Sequence, residues 1–256
     1  MFVTGGVLGY CHVPKVASSA WMTMFAELNF LSKGLIKDKL ETMSLHDYMF
    51  NRYSLVFPDD AEKLSQLYKF VFIRHPFERL VSAFHDKFVT IQQMNLMQPF
   101  INYHLNRNGI KNPGDLNKST LHKYVNVTFN SFVHFVLYEN SLNSKISSPS
   151  WHWWPSSDVC KVCEIEYDYL GTLETFHKDV SCILQEFPDY NILQEMKNKI
   201  KEKVNASGHP NKSMTMDYFS QLTKQTIIDL YEMFKVDFQL GEYDYPQKYI
   251  DIGKHD

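Results

Sequence analysis

Short apolar runs alternate with longer amphipathic stretches along this chain, and the two patterns predict strands and helices in turn. The runs 8–13 (LGYCHV), 68–73 (YKFVFI) and 165–173 (IEYDYLGTL) are typical of buried strands, and the first stops at Pro14. Apolar residues at helical spacing predict helices over about 18–31, 77–88, 128–137, 175–187, 190–204 and 225–234. Strands separated by helices favour an α/β fold, with a parallel sheet flanked by helices.

The rest of the chain gives weaker patterns. Residues 91–123 are polar, Asn-rich and weakly periodic, which predicts a surface insertion. Residues 205–215 are expected to form a loop, and the segment after residue 234 an extended tail. A length of 256 residues with no internal repeat favours a single domain over 1–256.

Charge and hydropathy exclude several classes of protein. The net charge is −3 and the pI is about 6.4, so the chain lacks the basic footprint of a general nucleic-acid binder. Any anion must therefore be held by a local cluster of cationic and amide groups. No apolar run approaches the ~20 residues that span a bilayer. The first nine residues, MFVTGGVLG, lack the basic and apolar regions of a signal peptide.

The four cysteines do not form a metal or redox motif. Zinc would require a second Cys or His pair at matching spacing, and Cys160-x-x-Cys163 does not begin a helix after a strand. Disulfides and buried thiols therefore remain as alternatives for Cys11, Cys160, Cys163 and Cys182.

The first stretch with candidate chemistry is 14–21 (PKVASSAW), which joins a predicted strand to a predicted helix. Backbone N–H groups at a helix N-terminus attract anions, and the small residues at 17–20 let a phosphate approach the backbone. Lys15 adds a full charge. This is not a nucleoside-triphosphate loop, because G-x-x-x-x-G-K-[ST] is absent. The alternative is an ordinary strand–turn–helix junction with a solvated lysine.

The second stretch begins with Arg74, which leaves the predicted strand 68–73 at its carboxyl end, where open α/β sheets bind their ligands. Ser82 follows about two turns into the next helix. An arginine fork and a serine hydroxyl together suit a second phosphate group. The alternative is a plain helix start with Glu78 and Arg79 on the surface.

Together, PKVASSAW and FVFIRHPFERLVSAFHDKF resemble the two donor-binding motifs of Golgi carbohydrate sulfotransferases. The resemblance is to the chondroitin/dermatan 4-O-sulfotransferase and HNK-1 sulfotransferase subgroup. Three later segments also match its layout, so that it spans residues 10–246: WHWWPSSDVCKVCEIEYDYLGTLET, HPNKSMT and IDLYEMFKVDFQLGEYDYP. Ala17 and Ser19 stand where the family usually has Gly and Thr.

The resemblance implies a P-loop-like sulfotransferase fold that transfers a sulfuryl group from 3′-phosphoadenylyl sulfate (PAPS) to a glycan or proteoglycan hydroxyl. The acceptor would be chondroitin/dermatan-like, and no metal would be needed. Lys15 would contact the phosphosulfate bridge, and Arg74 and Ser82 would hold the 3′-phosphate. The 5′-phosphate would be held by amides and hydroxyls of Val16, Ala17, Ser18, Ser19 and Ala20.

The catalytic base is predicted among the histidines. His152 is the first candidate, because it lies in SPSWHWWP, where tryptophans can stack on sugar rings. His12 is the second, and His75 is expected to cap the strand exit. The alternatives are a structural histidine in each case, and a core plug for Trp151, Trp153 and Trp154.

Two further expectations concern the surface and the cellular location. Lys212 could reach the cofactor from the 205–215 loop, next to a lysine-rich stretch at 197–203 whose alternative is a solvated helix face. The resemblance implies the Golgi lumen or membrane. Four Asn-x-Ser/Thr sequons agree weakly with this location: Asn117, Asn126, Asn205 and Asn211.

The family's membrane anchor and stem are not seen in this sequence, which leaves a luminal fragment, a truncated gene model and a soluble member as alternatives. The alternative function is a non-catalytic, sulfotransferase-like protein that binds a nucleotide or a glycan.

Overall fold

The computed structural model describes residues 1–4, 7–32, 49, 60–90, 94–110, 125–142, 150–187 and 212–255. The chain divides into two compact units. The first, here called the sheet unit, comprises Met1–Arg74 and Ser156–Gly208. The second, here called the helical unit, comprises His75–Pro155 and His209–Asp256.

The sheet unit contains a four-stranded, largely parallel sheet in the order β1-β2-β3-β4. Its strands are β1 (Phe2–Thr4), β2 (Leu8–Cys11), β3 (Tyr68–Ile73) and β4 (Tyr169–Thr172). Strands β2, β3 and β4 run parallel, and β1 pairs antiparallel with β2 at the edge. The α/β fold predicted from the sequence is confirmed. Strand β1 was not predicted, because three residues are too short to show a period.

Helices α1 (Ser18–Ser32) and α7 (Phe176–Gln185) complete the core of the sheet unit. Trp21 of α1 is fully buried, with its ring 4.7 Å from Phe70 and 5.1 Å from Phe72 between centroids. Phe176 lies 5.7 Å from the same indole ring. These aromatic contacts attach the helix that follows β2 to the middle of the sheet.

One disulfide crosses the sheet unit, between Cys11 at the end of β2 and Cys160 just after the short helix α6 (Ser156–Val159). Cys163 and Cys182 are free thiols. The structure thus selects the disulfide alternative for one pair and the thiol alternative for the other two. The bond attaches the strand end that precedes Lys15 to a segment 149 residues away in sequence.

The helical unit is built around aromatic side chains. Phe77 stacks on Phe219 at 4.4 Å, and Phe84 lies 5.4 Å from Phe132. Its helices are α3 (Pro76–Phe84, continued by a π-helical segment His85–Thr90), α4 (Met94–Arg107), α5 (Phe129–Ser141), α8 (Lys212–Phe219), α9 (Lys224–Leu240) and α10 (Gln247–Ile252). Helix α2 (Ala61–Ser65) belongs to the sheet unit.

Three segments differ from the expectations. The 91–123 stretch contains α4, whose Phe100 and Leu105 are buried, although Asn, Gln and Pro99 blur its apolar period. Lys212 begins helix α8, whereas a loop was expected to run to residue 215. The expected extended tail contains α10, whose Tyr249 packs on Phe77 at 5.2 Å.

The predicted helix 190–204, the lysines within it, and residues 205–211 with their sequons lie outside the described residues, as does Asn117. In the part of the chain that is described, no helix has the length and apolar character needed to cross a membrane.

The disulfide gives a stability prediction. A Cys11→Ser/Cys160→Ser variant should lose about 2–5 kcal/mol of the free energy of unfolding, because a bond between distant residues restricts the unfolded chain. Equilibrium denaturation under non-reducing conditions measures this loss. Cys163→Ser is the matched control, and its exposed thiol should change stability by less than about 0.5 kcal/mol. Equal stability of the double variant and wild type would contradict the pairing.

Candidate active site

The loop after β2 has an unusual backbone conformation. Lys15 and Ala17 have φ values of 70° and 50°, in the left-handed region that favours glycine. Successive N–H groups in turns with left-handed residues form concavities that bind anions. The loop leads directly into α1, so the helix N-terminus reinforces that preference. This backbone supports the anion-site interpretation of residues 14–20 over the plain junction.

The residues of 16–20 that are predicted to bind the sulfuryl donor fall into two groups. Some can contact it only through main-chain groups, and others can also use a side-chain hydroxyl. Val16 and Ala20 have side chains buried in the core, so they can contact a ligand only through the main chain. The amide of Ala20 already donates to the Ala17 carbonyl at 2.9 Å. Ser18 is partly buried and Ser19 is exposed, so their hydroxyls lie at the surface of the loop.

Arg74 lies at the same edge of the sheet, directly after β3. Its side chain is only 3% exposed, although an arginine is rarely buried unless its charge is compensated. The pairing of Cys11 with Val71 and of Ile73 with Thr172 places the ends of all three parallel strands at this edge. The sheet unit thus brings the Lys15 loop and Arg74 to one edge.

His12, the second candidate base, also belongs to the sheet unit. It is partly buried, with its ring edge-on to Phe2 at 5.6 Å and to Tyr10 at 6.4 Å. This aromatic packing favours the structural alternative for His12.

The helical unit contains Ser82, His152 and Lys212. Ser82 lies on α3 and is 3% exposed. His75 occupies the position that precedes α3, as expected, but its side chain makes no capping hydrogen bond. Its ring packs 5.0 Å from Tyr243 instead.

The segment 150–154 (SWHWW), here called the tryptophan segment, begins with a 3₁₀ turn, Ser150–His152. Trp153 is fully buried and Trp154 is 6% exposed, so the core-plug alternative holds for these two rings. Trp151 and His152 are only partly buried. They are the two residues of the segment that keep partial exposure.

Arg79 contacts this segment from α3. It is 1% exposed, so the alternative that placed it on the helix surface is wrong. Its Nη1 donates to the Trp154 carbonyl at 2.6 Å and its Nη2 to the Trp151 carbonyl at 3.0 Å.

Glu139 of α5 contacts two side chains of the tryptophan segment. Its carboxylate accepts hydrogen bonds from Trp153 Nε1 at 2.9 Å and from Ser150 Oγ at 3.0 Å. Burial raises the pKa of Glu139 above its ordinary value, and these two hydrogen bonds partly oppose the rise. Because the folded carboxyl group then binds its proton more tightly than the unfolded one, this group favours folding most in acid and less as the pH rises.

Sequence reasoning assigned no role in the site to Arg79 or Glu139. A signal was present in both cases. Each is a charged residue among the apolar, core-facing positions of its helix. Arg79 is next to Leu80 in α3, and Glu139 comes three residues after Val136 in α5. Charges at such positions usually have a buried partner.

Lys212, the first residue of α8, is exposed. Lys248 lies near it on α10, with its Nζ 4.9 Å above the Tyr249 ring. Burial lowers the pKa of Lys248, and the charge of Lys212 lowers it further. Lys212 and Lys248 therefore form a small cationic patch.

Comparison with known proteins identifies the class of protein. The model of the sulfotransferase family matches residues 4–245, so the chain belongs to that family. It is 28% identical over 244 residues to carbohydrate sulfotransferase 11 of Mus musculus, covering 93% of this chain and 64% of the relative. It is 28% identical over 257 residues to carbohydrate sulfotransferase 10 of Xenopus laevis, covering 93% of this chain and 65% of the relative.

The chain thus spans just under two thirds of the length of these curated relatives. No solved structure gives a significant match. The resemblance to carbohydrate sulfotransferases inferred from the motifs is confirmed.

The left-handed backbone of Ala17 can be tested with paired glycine variants. Ala17→Gly and Ala20→Gly each remove one buried methyl group. Residue 20 is helical, however, and glycine in a helix lowers the free energy of unfolding by about 1 kcal/mol. At residue 17, glycine instead relieves about 1–2 kcal/mol of left-handed strain. We expect Ala17→Gly to be the more stable variant by about 2–3 kcal/mol in urea denaturation. Equal losses in the two variants would argue against a left-handed loop.

Proposed function

We propose that this protein transfers a sulfuryl group from PAPS to a hydroxyl group of a glycan. The observation that carries the proposal is the left-handed, lysine-bearing loop that joins β2 to α1 in a chain of the sulfotransferase family. A loop of this kind suits a phosphate group, and Lys15 adds the charge that a phosphosulfate needs.

PAPS is proposed to be bound by the residues of the two donor-binding motifs. Lys15 contacts the bridging oxygen, and the amides and hydroxyls of residues 16–20 hold the 5′-phosphate. Buried Arg74 binds the 3′-phosphate, for which its planar fork is well suited. The family resemblance assigns Ser82 to the same phosphate. Lys212, an exposed cation at the start of α8, is proposed as an additional contact to PAPS.

In the proposed reaction, the acceptor hydroxyl attacks sulfur in line with the bridging oxygen. A new S–O bond forms, the bond between sulfur and the bridging oxygen breaks, and 3′-phosphoadenosine 5′-phosphate leaves. His152 takes the hydroxyl proton as general base, and Lys15 stabilises the charge that develops on the leaving oxygen. His12 is the second candidate base, although its packing against Phe2 and Tyr10 favours a structural role.

The acceptor is proposed to be a chondroitin- or dermatan-like glycan, free or on a proteoglycan. The relatives are named carbohydrate sulfotransferases, and partly buried Trp151 offers an aromatic face of the kind that sugars stack on. The same relationship supports action in the Golgi lumen. Asn126, a sequon residue just before α5, is exposed and could carry a glycan there.

Sulfuryl transfer can be measured with radiolabelled donor and a panel of desulfated glycans. We expect wild type to label at least one acceptor, and Lys15→Ala to lower kcat by about 10²–10³-fold, because the lost charge acts mainly in the transition state. Lys63→Ala, an exposed lysine of α2, is the matched control and should retain activity. Folded wild-type protein that binds the product nucleotide but labels no acceptor would instead support the non-catalytic alternative.

The 3′-phosphate assignment predicts a selective loss of affinity. Arg74→Ala should weaken 3′-phosphoadenosine 5′-phosphate binding by about 30- to 1000-fold, which corresponds to about 2–4 kcal/mol. Binding of adenosine 5′-phosphate should change much less. Arg74→Lys should recover part of the loss, because an ammonium group cannot form the fork.

Calorimetry with the two nucleotides measures this preference. Arg107→Ala, at an exposed position of α4, is the matched control. A folded Arg74→Ala variant that keeps the full preference for the 3′-phosphorylated nucleotide would show that Arg74 is structural.

A further inference from the structure

The tryptophan segment is held on both sides by charged side chains from two different helices. Arg79 of α3 donates to the carbonyls of Trp151 and Trp154 at 3.0 and 2.6 Å, and Glu139 of α5 accepts from Ser150 and Trp153 at 3.0 and 2.9 Å. All of these residues belong to the helical unit. Arg79 thus fixes the main chain, and Glu139 fixes side chains.

The burial of Arg79 has a free-energy cost that its hydrogen bonds to the segment must offset. Arg79 is 1% exposed, and transfer of a guanidinium group out of water is unfavourable unless hydrogen bonds replace the lost hydration. Hydrogen bonds to a charged group are roughly twice as strong as those between neutral groups. Two such bonds to carbonyls three residues apart fix the chain on both sides of His152.

The second contact holds one ring of the segment in the core. Glu139 holds the indole N–H of Trp153, whose ring lies 5.4 Å from Phe132 and 6.0 Å from Phe135 in the aromatic core. With Trp153 and Trp154 buried, the partly buried residues of the segment are Trp151 and His152. These are the residues to which we assign sugar stacking and proton transfer.

We propose that Arg79 and Glu139 are positioning residues for sulfuryl transfer, which hold the tryptophan segment so that His152 and Trp151 meet the acceptor glycan. The inference rests on the proposed function, in which His152 is the base. Arg79 precedes Ser82 by three residues on α3, so one helix holds the segment and also carries the serine assigned to the donor.

The expected effect of loosening the segment is specific. A general base must lie within hydrogen-bonding distance of the proton that it removes, and a misplacement of about 1 Å can cost about 100-fold in rate. Neither Arg79 nor Glu139 is assigned to the donor in the proposed function, so nucleotide affinity should be retained. A purely structural residue would instead change stability and nucleotide affinity together, or leave kcat unchanged.

The test uses Glu139→Gln and Arg79→Lys in the full chain. Gln is nearly isosteric with Glu but offers a single carbonyl oxygen to two donors, and Lys keeps the charge of Arg without its fork. Glu232→Gln on α9 and Arg107→Lys on α4 are matched controls at exposed positions. The measurements are kcat and KM for the labelled glycan acceptor, calorimetry with 3′-phosphoadenosine 5′-phosphate, and hydrogen exchange of residues 150–154.

We expect kcat to fall about 10- to 100-fold in both variants, with faster amide exchange in the tryptophan segment and unchanged nucleotide affinity. Either control should match wild type. Wild-type kcat in Glu139→Gln with faster exchange would overturn the proposal, because the segment would then be loosened without consequence for transfer. A fall in kcat accompanied by an equal loss of nucleotide affinity would also overturn it, because that result indicates general unfolding.

The wild-type measurement separates this proposal from the function on which it rests. Wild type that binds the nucleotide but transfers sulfate to no acceptor refutes the proposed function, and the positioning role with it. Active wild type with fully active variants refutes the positioning role alone.

Discussion

The candidate donor site depends on the parallel pairing of β2, β3 and β4. Parallel strands all end at the same edge of a sheet, so segments far apart in sequence are brought to one place there. Cys11 and Ile73 end neighbouring strands, and the Lys15 loop and Arg74 follow them directly. Antiparallel pairing of β2 and β3 would send these two cationic residues to opposite edges. The strand pairing is therefore a precondition for the proposed chemistry of the sheet unit.

Two further constraints act on the loop that contains Lys15. The Cys11–Cys160 disulfide holds its start, and the buried ring of Trp21 holds the helix that follows. Between these two anchors, Lys15 and Ala17 adopt left-handed backbone conformations, which are unfavourable for residues other than glycine. The family resemblance implies glycine at residue 17, and alanine, which stands there, is the smallest side chain that can take its place.

In the helical unit, buried Arg79 and half-buried Glu139 constrain the path of the tryptophan segment. An apolar core alone tolerates many arrangements of similar volume, whereas a buried guanidinium or carboxylate is stable only where its hydrogen bonds are satisfied. Arg79 and Glu139 therefore favour one arrangement of residues 150–154. The pattern by which Trp153 is buried and His152 is left partly exposed follows from this arrangement.

Local sequence determined the elements whose signals are local. The run 68–73 forms β3 with the predicted bounds, and Thr128 caps α5 through the Ser131 amide, because strand burial and helix capping depend on near neighbours. Helices α4 and α10 were not predicted, because their sequences lack a clear helical period. Their apolar residues are buried by partners elsewhere in the chain. The same reason explains why tertiary structure alone decided the Cys11–Cys160 pairing and the burial of Arg79. Each depends on a partner at least 70 residues away, which no local pattern can identify.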